Sequence, residues 1–430
     1  MKDSSNGSSN DSLNSYSNCS SGSSFKFFLH KTGALFKKDL MLSVSLVAAI
    51  VSLFITPPDR ALLNDINWHT LATLFMLITV LEGFKRENIF EPVLNLTRRI
   101  KKLPVLTCFF VYSVFLSSMF VTNDVSLIIF VPLTIILFRE SGNERFILPV
   151  LTFENIAAIR GSLLMPFGSP QNLFLFTQSG VSAPNFMFRM LPLWLFSSVL
   201  LFVFIQGMYF IDRKRAGKAA VAQNGNLSLS GGGSEAEAGS ADSAVSSAAQ
   251  KSNRPKKILY ISLFVIVVTS IVSRTTFWPY VTLGVFLALL IFDRKILLKT
   301  DYVLILTFFC FFVFSSSVCR NPKISEFLRT NVGGHEYVWS ILLSQIISNV
   351  PASIVLWPFT KSLTALLYGL DSAGLCSIIG SLASVINLRL YIREYPGRGM
   401  KFIKTFTWIS LLFFAVVVIP QWLLIKIMPV

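Results

Sequence analysis

Charge is what this sequence is short of. Only 14% of its 430 residues are Asp, Glu, Lys or Arg, against roughly 25% in a soluble globular protein. Hydrophobic residues make up 53%, 40 of them Phe, and the mean hydropathy is +0.63. Apolar stretches long enough to cross about 30 Å of hydrocarbon recur from residue 40 to residue 425, which excludes a soluble domain on a single anchor. Histidine is nearly absent: His30, His69 and His335 stand far apart and offer neither a Ser/His couple nor a metal centre. The five cysteines (Cys19, Cys108, Cys310, Cys319, Cys376) show no CxxC spacing and mostly sit in apolar segments as small hydrophobes, so no disulfide framework is indicated. Acidic residues number 22 against 38 basic ones, a net charge of +16. The basic residues fall in short loops beside apolar segments, as topology determinants do, and form no basic face interleaved with aromatics. Nucleic acid is therefore not a predicted partner; the lipid bilayer is. The only glycine run, GGGS, has no strand before it or helix after it and is no phosphate loop. Neither an enzyme nor a cofactor is indicated.

What is present is an all-α polytopic membrane protein interrupted by two polar stretches. Residues 1–35 begin with a Ser/Asn-rich sequence that lacks the apolar core of a signal peptide and reads as a disordered tail. Residues 216–255, small, polar and Gly/Ser-rich, read as a flexible linker. The linker divides the membrane part into repeats of similar length, 36–215 and 256–430.

Spans are predicted at 40–57 and 67–83, with Lys37 and Lys38 before the first and Lys85 and Arg86 after the second, which places the N-terminus in the cytoplasm. Residues 104–138 have basic residues at both ends, Arg98, Arg99, Lys101 and Lys102 before and Arg139 and Arg145 after, so they start and finish on one side. A re-entrant hairpin with Thr122, Asn123 and Asp124 at its tip fits that length; two full spans are the competing reading. Segment 146–176 follows, interrupted near MPFGSP, and then a span at 190–211 that ends in Arg213, Lys214 and Arg215, so the linker is predicted to be cytoplasmic. The second half gives spans at 257–273, 278–292 and 302–318, an external hairpin at 336–368 with Ser348, Asn349 and Val350 at its tip, a broken span at 372–391 and a last span at 405–425. About nine crossings and two hairpins result. The odd span at 257–273 makes the same series recur with opposite orientation, an inverted-topology repeat of the kind secondary transporters use, with binding sites near the midplane.

The hairpins align without a gap. VTNDVSLIIFVPLT from Val121 and ISNVPASIVLWPFT from Ile347 share the Asn, an Ile, the Pro and the final Thr. The broken segments align more weakly, pairing Ser162 with Ser377 and Asn172 with Asn387. In the first, Pro166, Gly168 and Pro170 interrupt any continuous helix, and the released backbone groups must face protein or a water-filled cavity. Hairpin tips expose helix ends whose carbonyls attract cations and whose N–H groups attract anions. Thr122, Asn123, Ser348 and Asn349 are thus the first candidates for a substrate or ion site; that they merely cap short helices is the alternative. Asp124, a carboxylate within the membrane with Val350 at its counterpart position, suits a cation or a proton. Arg160 suits an anionic substrate, with an ion pair to Glu154 or Asp124 as the alternative.

These four motifs, VTNDVSLIIFVPLT, GSLLMPFGSPQNLFLF, SNVPASIVLWPFT and GSLASVINLRLY, resemble the ion transporter superfamily, in particular its citrate-transporter-like permeases, related to divalent-anion:sodium symporters and to arsenite and sodium/proton antiporters. The resemblance covers about residues 36–215 and 256–428. It implies a homodimer in the plasma (inner) membrane, each protomer with a scaffold domain and a transport domain that moves by an elevator-like motion. It also implies sodium and a substrate carboxylate at tip motifs of the form Ser-Asn-Thr, which fall here on Thr122-Asn123-Asp124 and Ser348-Asn349-Val350. A family pattern of the form GSMLTPFGNPQN becomes GSLLMPFGSPQN, carrying Gly168, Ser169 and Asn172, with Ser377 as the counterpart in the second half. The function implied is secondary transport of a small anion, an organic carboxylate or an inorganic oxyanion, coupled to Na⁺ or H⁺. An antiporter-like efflux protein and an uncoupled channel are the alternatives.

Overall fold

The computed structural model describes residues 40–57, 59–87, 100, 102–224, 254–273 and 276–427. The predicted N-terminal tail and most of the linker lie outside the described residues. Every regular element among the described residues is helical, as lipid requires of backbone that must satisfy its own hydrogen bonds. The first half contains α1 (Leu40–Ile55), α2 (Arg60–Asp65), α3 (Trp68–Arg86), α4 (Leu103–Val121), α5 (Asn123–Glu140), α6 (Ile147–Gly161), α7 (Pro170–Ser179) and α8 (Ala183–Asn224). The second contains α9 (Arg254–Ser273), α10 (Trp278–Leu297), α11 (Tyr302–Arg320), α12 (Pro322–Val332), α13 (Glu336–Ile347), α14 (Asn349–Leu356), α15 (Leu363–Cys376), α16 (Leu382–Glu394) and α17 (Gly399–Ile427).

Local chemistry explains most boundaries. Asn67, Ser169, Asp301, Asn321 and Ser362 each accept a first-turn N–H through the side chain, opening α3, α7, α11, α12 and α15. Among the described residues five helices are long and apolar enough to cross a membrane: Leu103–Val121, Ala183–Arg215, Arg254–Ser273, Tyr302–Arg320 and Gly399–Ile427. Large apolar side chains such as Phe54, Val199, Ile291, Phe292, Trp408 and Ile419 point outward. In water that would be a liability; in a bilayer it is the lipid-facing surface.

Three boundaries differ from those read in the sequence. The second hairpin closes at Phe359 rather than near residue 368, because a 3₁₀ turn over Trp357–Phe359 ends it and Ser362 caps a new helix. The broken segment that follows therefore starts at Leu363, not 372. α8 continues to Asn224, into the stretch assigned to the linker. One further element, α12, lies in a stretch assigned to no span. It carries Ile324, Phe327 and Leu328 among Lys323, Glu326 and Arg329, the make-up of a helix lying along an interface.

The two halves use matched packing. α4 lies on α6 as α13 lies on α15, α1 pairs with α11 as α10 pairs with α3, and the second arm of each hairpin packs on the helix beyond the other half's break: α5 on α16, α14 on α7. α9, the odd span, is joined to α3 and α10 by a buried carboxylate. Asp293 sits at a kink in α10 (φ −155°, ψ 66°) and accepts two bonds from Arg86 at 3.0 Å, one from Lys256 at 2.9 Å and one from the Tyr260 hydroxyl at 3.1 Å. A buried carboxylate persists when its lone pairs are met in this way.

Candidate functional site: two hairpin tips beside two helix breaks

Each hairpin turns on a single residue. Thr122 between α4 and α5 has φ 69°, ψ 155°, and Ser348 between α13 and α14 has φ 70°, ψ 162°. Among the described residues these are the two non-glycine positions with positive φ. That region is disfavoured for any side chain, at a cost on the order of 1–3 kcal/mol each, and persists where the surrounding structure over-determines it. Neither residue caps the next helix through its side chain, so the hydroxyls are not used as caps. The capping alternative raised by the sequence does not describe them.

At the first tip, buried Asn123 accepts the Asp124 backbone N–H through Oδ1 at 2.9 Å. Ser126 donates to the Thr122 carbonyl at 3.0 Å and accepts from Ser117 at 2.9 Å. Asp124 Oδ1 is buried with no protein donor. At the second tip, the Asn349 N–H donates to the Gly380 carbonyl at 3.2 Å, and the Ser348 hydroxyl donates to Asn349 Oδ1 at 3.4 Å.

The helix breaks are built for close approach. Between α6 and α7 the chain folds back so that a Cβ on Gly168 would sit 2.3 Å from the Ser162 carbonyl oxygen. Asn172 holds the loop through Nδ2, donating to the carbonyls of Ser162 (3.2 Å) and Leu163 (3.4 Å), and its own N–H donates to Ser169 Oγ. Between α15 and α16, a Cβ on Gly380 would lie 2.0 Å from the Ala373 carbonyl oxygen. Ser377 there donates to Gln345 Oε1 at 2.5 Å and accepts the Gly380 N–H at 3.3 Å, while Gln345 Nε2 donates to the Ala373 carbonyl. Gln345 thus ties the arm α13 to the second break.

The second tip borders the start of α11. A cavity of about 50 Å³ is lined by Ser348, Val350 and Pro351, by Asp301, Leu304 and Thr307 of α11, and by Leu382 of α16. Ser377 is joined to the second tip through Gly380, and α7, with Ser169 and Asn172 at its start, packs on α14. Arg160 is engaged elsewhere: wholly buried, it pairs with Asp371, and its other terminal nitrogen donates to Ser372 Oγ at 3.2 Å. Gln421 and Tyr337 extend that network. The partner of Arg160 is therefore neither Glu154 nor Asp124, the pairs weighed from the sequence.

Sequence reading missed Asp301, Gln345 and Asp371. Gln345 had a visible signal, a lone amide in SILLSQII. Asp301 reads locally as a helix cap, and its place beside the second tip depends on packing.

The family model described as Citrate transporter, CitMHS, matches residues 33–380. An uncharacterized transporter of Methanocaldococcus jannaschii is 28% identical over 327 residues, covering 76% of this chain and 81% of its own. The inner membrane protein YbiR of Escherichia coli is 29% identical over 354 residues, covering 80% and 86% respectively.

Proposed function

Because this chain belongs to the citrate transporter family and is a multi-pass membrane transporter, we propose that it moves a small anion by secondary active transport coupled to Na⁺ or H⁺. The substrate class is an organic carboxylate such as citrate or a dicarboxylate, or an inorganic oxyanion. One observation carries the reading: two helix reversals, at Thr122 and Ser348, hold the same strained backbone, and the second borders a cavity lined by the Asp301 carboxylate. Backbone strain held at matched positions is a mark of a working site. The Asn123 and Asn349 amides and the Thr122 and Ser348 hydroxyls offer both donors and acceptors, as an anion with its coupling cation needs.

In this proposal the two halves form an inverted repeat, and the hairpins with the two broken helices move together past α1, α3 and α9–α11, exposing the site to each side in turn. The matched packing of the halves supports it. The protein is placed as a homodimer in the plasma (inner) membrane with its N-terminus and central linker cytoplasmic. The test is flux in proteoliposomes with imposed Na⁺ and pH gradients for citrate, C4-dicarboxylates, arsenite and phosphate. Gradient-driven accumulation supports coupling, and its direction separates uptake from efflux. Conductance indifferent to both gradients would make the protein a channel.

A further inference from the structure

Glu154 has no place in the site described above. It lies on α6 with its side chain wholly buried, and no ion pair reaches it among the described residues. Thr134 of α5 donates to Oε1 at 2.5 Å, and Oε2 meets no protein donor. Its neighbour Asn155 donates through Nδ2 to Ser384 Oγ at 2.9 Å, and Asn387 donates through Nδ2 to the Leu151 carbonyl at 2.8 Å. Both asparagines are left with a buried Oδ1 that no protein group meets. α5, α6 and α16 pack pairwise, and these three helices carry three buried acceptor oxygens without a donor, one of them on a carboxyl group. Acceptors there lack donors, and an uncompensated carboxylate in such surroundings is among the most costly groups a membrane protein can hold.

The charges on neighbouring elements are engaged or remote. Arg160 of α6 is taken by Asp371 of α15, Arg139 of α5 by Glu394 of α16, and Arg145 before α6 by Asp212 of α8. Of the other titratable groups on these elements, Tyr209 of α8 is bonded to Thr107 of α4, Tyr112 of α4 donates to the Ser198 carbonyl, and Arg389 of α16 and Lys401 and Lys404 of α17 are exposed.

We infer that the α5–α6–α16 junction is a cation site, in which a monovalent cation, H⁺ or Na⁺, sits on Glu154 Oε2 with Asn155 and Asn387 as neutral oxygen partners. The inference rests on the transport proposal and adds to it a coupling-ion position separate from the tips. α6 runs directly into the first helix break, so occupancy of the junction bears on the helix that carries Ser169 and Asn172 at its far side.

The full-length protein in lipid nanodiscs is melted over a Na⁺ series with choline as the substitute, and over a pH series at fixed Na⁺. Wild type is expected to gain several degrees in Tm with one of the two cations, since a ligand of the folded state raises apparent stability. Glu154→Gln, whose amide supplies a donor, should lose that gain without loss of basal stability. A response to Na⁺ identifies sodium; a pH response larger in wild type than in Glu154→Gln identifies the proton. The same gain in Glu154→Gln, or a wild type indifferent to both, overturns the site. If Glu154→Gln does not fold, Asn387→Leu serves instead, with an expected rise of about tenfold in the half-saturating cation concentration; an unchanged value overturns the site. The double variant Asn123→Ala/Asn349→Ala is run in parallel and should keep the Glu154-dependent gain, so failure of the tips and failure of the junction are told apart.

Discussion

Thr122 and Ser348, 226 residues apart, hold one backbone conformation, φ 69°, ψ 155° and φ 70°, ψ 162°. A tight reversal between two helices ordinarily selects glycine at such angles. A hydroxyl-bearing residue at both positions means that stability is given up for the side chain, and the predictions begin there.

Thr122→Gly and Ser348→Gly should each stabilise the fold, by about 1 kcal/mol, because glycine adopts these angles without the Cβ penalty. Transport should fall in both, since the hydroxyl is lost. Thermal melting paired with proteoliposome flux checks the opposed changes; a variant with stability raised and flux intact would remove that hydroxyl from the site.

Asn123→Ala and Asn349→Ala should each abolish flux while leaving yield and melting close to wild type. Both side chains are buried at helix starts, but their bonds at the tips are few and local. Flux retained in both would show that the tips are structural.

Arg160→Gln or Asp371→Asn alone should cost about 3–5 kcal/mol, because each leaves a buried charge without its partner. Replacing both with leucine should recover much of that loss. Melting of the two single variants and the double variant measures the coupling. If flux survives in the double variant, Arg160 pins α6 to α15 and does not bind the anion.

Asp65, the last residue of α2, gives a pH prediction. Burial opposes its charge, but hydrogen bonds from Ser316 and Arg320, at 2.6 Å and 2.7 Å, and the Arg320 charge hold its carboxyl below the usual carboxylate range. The unfolded chain therefore binds this proton more readily, and the contribution is present above about pH 4 and lost as pH falls through the lower folded value. Asp65→Asn should melt lower than wild type at pH 7, and the difference should shrink toward pH 3. A gap independent of pH would mean that the ion pair is not its source.

The helix reversals at the two polar triplets, the breaks and their rough order were legible because their causes are local. MPFGSP interrupts a helix through its prolines' missing N–H and fixed φ, and a Thr-Asn-Asp or Ser-Asn-Val triplet marks a break because polar groups in an apolar run need partners. The second hairpin was drawn nine residues too long because Ser362, which caps α15, is one small polar residue in an otherwise apolar context.

Composition and breakers alone thus established a polytopic helical protein with two polar tips and two interrupted helices, since hydropathy and backbone restriction act over a few residues at a time. The three-dimensional packing settled which of those groups meet. It placed Asp301 beside the second tip, gave Arg160 to Asp371 and left Glu154 with a single threonine donor. Those outcomes depend on contacts between segments far apart in the chain, and the energy of a buried charge is set by the neighbours that packing supplies.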